Sequence, residues 1–245
     1  MSSATAACNQ PVLEKILKHD RVVVLLGVAA ISLATWAYTL HMSAASDQTV
    51  HHHTRSGIDF FLLFWMWAVM MVAMMLPAVT PTVLLVAALN RRNRLHSSPF
   101  PAAVCFLIGY VVTWTLFSLL AALGEIILHN RALLNTEMGA ATPLVGSGFL
   151  LIAGLFQWSP WKNACLKHCR SPLGFLMTQW RPGALGSFRM GVLHGVYCTG
   201  CCWALMLLMF VSGVMNVWWF LALTGFVLVE KLWPRGVLIE ELAVL

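Results

Sequence analysis

Charge is what this sequence lacks. Asp, Glu, Lys and Arg make up 10% of its 245 residues, where soluble domains carry about 25%. Hydrophobic residues make up 60%. A water-soluble core protein is excluded on that balance, and a mean hydropathy of +0.80 marks an integral membrane protein. A Gly-rich phosphate loop, a His-Glu-x-x-His helix and a Gly-x-Ser-x-Gly elbow are all missing too, so hydrolase and nucleotide readings have no support. No catalytic residue and no organic cofactor is assigned, and enzymatic activity is left open. The seven cysteines do not resemble a disulfide framework. Internal repeats, inverted duplications and low-complexity linkers are absent as well, so residues 1–245 read as one membrane domain.

What is present is a series of apolar runs, and about 20 residues suffice to cross the hydrocarbon. After a polar cytoplasmic segment over residues 1–20, Val22 to Leu40 is the first run. Ser43-Ala44-Ala45 has the small-residue character of a cleavage site, but the run exceeds the usual apolar region of a signal peptide and is expected to be retained. Phe60 to Leu89 is the second, expected to kink or break near Pro77 and Pro81. Ala102 to Leu128, Leu144 to Trp158, Ser187 to Val211, and Val217 to Val229 or Trp233 complete a set of six. A basic loop of about 28 residues separates the fourth from the fifth, and Asn216 is expected to cap the turn before the sixth.

The net charge of +6 does not indicate nucleic acid, because the cations sit between apolar runs rather than on one patch. With the N-terminus inside, all but Arg55 and Arg131 of the 15 Lys and Arg fall on the cytoplasmic side. That bias predicts an all-α, polytopic helical bundle of six spans with both termini cytoplasmic. Its partners are the lipid bilayer and, as an open alternative, other membrane subunits.

Sulfur and imidazole sit where hydrocarbon is expected. His194, Cys198 and Cys202 recur every four residues, and Cys201 lies three beyond Cys198, so they share one helix face. Thiolate and imidazole at that spacing suit a soft or borderline metal ion. Core packing is the alternative for any single cysteine, since cysteine behaves as a small hydrophobe and Gly195 and Gly200 favour close helix contact. In the second run Met66, Met70 and Met74 form a stripe, with Met71 and Met75 beside it. Thioethers hold Cu(I) without a buried charge, although methionine also fills gaps between helices. Counting 1.5 Å per residue from Asp59 and from Ser187 puts Met70 and Cys198 each roughly 16 Å into the membrane, at one level.

Cys165 and Cys169, four apart in the basic loop, would face the same way on a short helix. Lys162, Lys167 and Arg170 nearby favour the ligating thiolate form. Two idle reduced thiols are the alternative there. His51-His52-His53 reads as a solvated loop more readily than as a metal collector. Glu125 reads as interfacial, Glu230-Lys231 as an interfacial pair, and the tryptophans mostly as interfacial anchors.

Several of these motifs occur in a familiar order. They are Met70-Met71-Val-Ala-Met74-Met75-Leu-Pro77, Gln157-Trp-Ser-Pro160-Trp-Lys162, Cys165, Cys169-Arg170, Pro172, Gly191-Val-Leu-His194-Gly195, Cys198-Thr-Gly-Cys201-Cys202-Trp203, Met215-Asn216 and Glu230-Lys231. Over residues 60–235 the sequence resembles a bacterial family labelled predicted metal-binding integral membrane proteins, a domain of unknown function. The resemblance implies a multi-pass inner-membrane protein with a metal site at the Met, Cys and His positions. It also implies a further hydrophobic helix after Pro234-Arg235-Gly236. The expected function is handling of a soft metal ion, copper foremost, through His194, Cys198, Cys201, Cys202, Met66, Met70 and Met74, with Cys165 and Cys169 on the cytoplasmic side. The alternatives are a membrane oxidoreductase component and an accessory or structural subunit of a larger membrane complex.

Overall fold

The computed structural model describes residues 10–46, 57–93, 100–134, 140–213 and 216–232. His51-His52-His53, Met215 and the tail beyond Leu232 lie outside the described residues, as do residues 1–9 of the polar N-terminal segment. The architecture is helical throughout: α1 (Gln10–Ser46), α2 (Gly57–Asn93), α3 (Phe100–Asn130), α4 (Pro143–Gln157), α5 (Pro160–Arg170), α6 (Pro172–Gln179), α7 (Gly183–Leu207) and α8 (Val217–Leu232). A short 3₁₀ turn, Leu208–Phe210, extends α7.

Among the described residues, four continuous stretches are long and apolar enough to cross a membrane: Asp20–Ser43, Phe60–Arg91, Phe100–Asn130 and Gly183–Phe210. A fifth is available if α4 and α5, bent by 67° at their junction, count as one broken span. The difference from six arises because α4 has 15 residues and α8 has 16, both short of the roughly 20 that a straight crossing takes. Leu26, Leu33, Leu116, Leu120, Leu151 and Leu155 are exposed on α1, α3 and α4, as lipid contact requires.

The helices pack in the order α1 on α2, α2 on α3 and α3 on α7, with α5 lying against the other side of α7 and α8 reaching α2 and α5. Asp20 and Arg91 tie α1 to α2 through two parallel hydrogen bonds of 2.6 and 2.8 Å. The α3–α7 contact is the closest. A Cβ on Gly191 would overlap the Phe106 carbonyl, one on Gly109 the Phe188 carbonyl, and one on Gly195 would stand 2.7 Å from Thr113 Oγ1. Small residues permit this backbone-to-backbone approach.

Pro77 and Pro81 do not break the second span. Both lie inside α2, which continues to Asn93. Pro77 has no N–H, so the Ala73 carbonyl four residues earlier loses its helical partner. Trp36 Nε1 of α1 donates to that carbonyl at 3.1 Å, which is how a proline is tolerated inside a membrane helix. Trp36→Phe keeps the aromatic packing and orphans the carbonyl. Its expected effect is a loss of about 1–3 kcal/mol, read as a lower thermal midpoint in detergent; an unchanged midpoint would mean that the bond contributes nothing.

The basic loop expected between the fourth and fifth spans is folded. Ser159 caps α5, its hydroxyl accepting from Trp161 N at 3.2 Å, with Pro160 at the first helical position. Pro172 stands at the start of α6 after Ser171, whose side chain makes no cap hydrogen bond. Leu166, Phe175 and Leu176 are buried and pin both helices to the bundle. Asn216 does cap α8, its Oδ1 accepting from Trp219 N at 3.1 Å. The tryptophans divide: Trp158, Trp161 and Trp218 are exposed, whereas Trp67 and Trp114 are core residues. Trp67 Nε1 donates to Glu125 Oε2 at 2.7 Å, so that carboxylate has a packing partner in the bundle rather than only an interfacial place.

Candidate metal centre

One face of α7 carries the soft donors. His194, Cys198, Cys201 and Cys202 are all buried, as their helical spacing predicts. Cys201 Sγ and Cys202 Sγ both donate to the Cys198 carbonyl, at 3.1 and 2.8 Å. In this arrangement the two sulfurs are turned back on their own helix. The six described cysteines are free thiols.

A second helix adds sulfur from the side. Cys169 Sγ of α5 lies 4.0 Å from Cys201 Sγ, and Cys165 packs over Gly200, its Sγ 3.0 Å from where a Cβ would stand. The expected same-facing pair on a short helix is present, and its face is α7. Two of the three cations expected to act on these thiols, Lys162 and Arg170, are engaged elsewhere. Lys162 pairs with Glu230 at 2.5 Å and also bonds Gln157 Oε1, and Arg170 Nε donates to the Glu230 carbonyl at 2.8 Å.

Glu230 and Lys231 diverge rather than forming an interfacial pair. Successive residues on a helix point about 100° apart, and here Glu230 turns toward the α4–α5 break while Lys231 turns into the bundle. Lys231 is 6% exposed. Its Nζ stands 2.7 Å from Cys198 Sγ, 4.0 Å from Cys202 Sγ and 3.8 Å from Met75 Sδ. Tyr110 of α3 completes the cluster, its hydroxyl donating to the Met75 carbonyl at 3.2 Å and lying 3.0 Å from Cys198 Sγ. Sequence reading missed Lys231 because an adjacent carboxylate offered it an obvious partner. The available signal was a lysine at the end of an otherwise apolar helix.

The methionine that reaches the thiols through Lys231 is therefore Met75, beside the Met66, Met70 and Met74 stripe. Met70 and Met74 are fully buried in the same core and Met66 is half-buried. His194 sits one turn before Cys198 among aromatic rings, with centroids 5.8 Å from Phe106, 6.0 Å from Tyr110 and 5.1 Å from Phe175. Its buried Nδ1 has no hydrogen-bond partner among the described residues, a situation that native interiors rarely leave unexplained. Also among the described residues, no three His, Cys, Asp or Glu side chains stand close enough to enclose a metal ion as they are. The donor chemistry fits a soft monovalent metal: thiols, a thioether and an imidazole within an apolar shell.

A family model described as PpoB2, copper chaperone, matches residues 64–244. The chain belongs to that copper chaperone family. The match runs from the methionine-bearing helix α2 through α7 and α8, so the whole donor cluster lies inside it. The family description names copper, where the motif resemblance had carried only the label of predicted metal-binding membrane proteins. No curated protein and no solved structure matches the chain.

Proposed function

We propose that this protein takes up Cu(I) within the bacterial inner membrane and passes it on through a sulfur-lined site. Cys198, Cys201 and Cys202 of α7 are its centre, Cys165 and Cys169 of α5 its cytoplasmic approach, and His194 an additional donor. Met66, Met70 and Met74, with Met75 nearest the thiols, form a neutral thioether route along α2. Transfer between such donors suits a chaperone, because successive soft ligands of similar strength exchange a cargo ion without trapping it. A six-span topology with both termini cytoplasmic, in which the short helices α4 and α8 also cross, belongs to the same proposal and rests on the distribution of Lys and Arg. The observation that carries the reading is the convergence of thiols from α5 and α7 inside a chain of a copper chaperone family.

The experiment is elemental analysis of protein purified in detergent without chelators and loaded with Cu(I) under reducing conditions. Wild-type protein is expected to retain copper near one ion per chain. Cys198→Ser combined with Cys202→Ser is expected to lower retention at least tenfold, while a Cys105→Ser control on α3 leaves it unchanged. Equal copper in all three, or none in any, overturns the reading.

A further inference from the structure

A lysine pointing into a membrane bundle is expensive, and such groups normally face a carboxylate, a carbonyl or water. Lys231 faces sulfur: Cys198 at 2.7 Å, Met75 at 3.8 Å and Cys202 at 4.0 Å. These donors come from α7 and α2, and the amine from α8 stands near all three. A compact cation on a flexible stem is thereby held among soft ligands that prefer a metal to an ammonium. The thiols of Cys201 and Cys202 meanwhile bond to the Cys198 carbonyl instead of to an ion. Both features describe a centre closed around a substitute.

We infer that Lys231 is a placeholder cation, standing where Cu(I) is to be held and leaving when the ion enters. The inference rests on the copper reading above and adds how the site is kept when empty. The lysine has somewhere to go. It lies on the last described turn of α8, and its long flexible stem lets the charged end swing off the thiols while the stem stays packed. Its departure also has a local consequence. Glu230, the preceding residue, bonds Lys162 and Gln157 across the α4–α5 break, so a turn of α8 pulls on the helix that carries Cys165 and Cys169. Loading the centre and rearranging its approach are then one motion.

Two measurements on the full chain in detergent micelles test this. The first is Cu(I) affinity by competition with a chromophoric chelator, comparing wild type with Lys231→Leu, which removes the charge and adds no metal donor. The variant is expected to bind at least tenfold more tightly, because the ion no longer displaces a competitor. The second needs no variant: wild-type protein with and without Cu(I) is treated with an amine-acetylating reagent, and the Lys231 peptide is quantified by mass spectrometry. Acetylation of Lys231 is expected to rise at least fivefold on loading, with Lys167 as an internal reference. Equal or weaker binding by Lys231→Leu, or equal labelling in the two states, overturns the placeholder even if the other result agrees. Wild type that binds no Cu(I) at all brings down both readings. Wild type that binds while Lys231 stays unreacted brings down this one alone.

Discussion

Gly191→Leu is expected to cut the yield of monodisperse protein in detergent more than tenfold, because the substitution lands on backbone. The position faces the Phe106 carbonyl so closely that even a methyl group would overlap it, and the reciprocal approach of Gly109 to the Phe188 carbonyl repeats the problem on the other helix. An oversized side chain in a core typically destabilises by about 1–3 kcal/mol when neighbouring side chains can shift. Here the neighbour is a carbonyl within a helix, and it can move only if α3 and α7 separate. Gly124 on α3 supplies the control: a Cβ there meets nothing within 4 Å. Gly124→Ala should therefore leave yield unchanged or raise stability by up to about 1 kcal/mol through helix propensity. Size-exclusion profiles of the two variants side by side decide the matter, and a normal profile for Gly191→Leu would mean that the helices do not cross as described.

Glu230→Leu is expected to cost about 3–5 kcal/mol, the usual result of removing one member of a buried pair. Lys162 is the reason: its side chain is 1% exposed against 11% for Glu230, so the charge left behind has little access to water. Gln157 alone remains to receive it. The double variant Lys162→Met with Glu230→Leu should recover most of the loss, since replacing both charges by apolar groups leaves nothing uncompensated. Recovery stays incomplete because the Gln157 amide, which donates to Glu230 Oε1 at 2.8 Å, loses its acceptor. Chemical unfolding in mixed micelles gives the three values. A double variant no more stable than Glu230→Leu would show that the two charges do not act as a unit.

The donor ladder on α7 was readable in one dimension because its members lie within nine residues, and helical periodicity alone places them on one face. The long apolar spans were equally plain. Cys169 was harder. Its approach to Cys201 depends on α5 folding back onto α7, and the cues for that fold, Ser159-Pro160 and Ser171-Pro172, were overshadowed by the basic residues around them. The level of the methionines was misjudged by five residues, from Met70 to Met75, or roughly 7 Å at the helical rise. Lys231 was least legible. Its role comes from three sulfur atoms on two other helices, and no property of the neighbouring sequence announces them.

The intimate crossing of α3 and α7 has a mechanical consequence. Where backbone meets backbone, a slip of one residue along either axis would drive a side chain into a carbonyl, so the two cannot slide past each other. Tyr110 and the thiols of α7 are thus mounted on a common rigid post. If the proposed ion enters, the motion that admits it falls to the shorter pieces, α5, α6 and α8, which no such backbone-to-backbone crossing locks to α3.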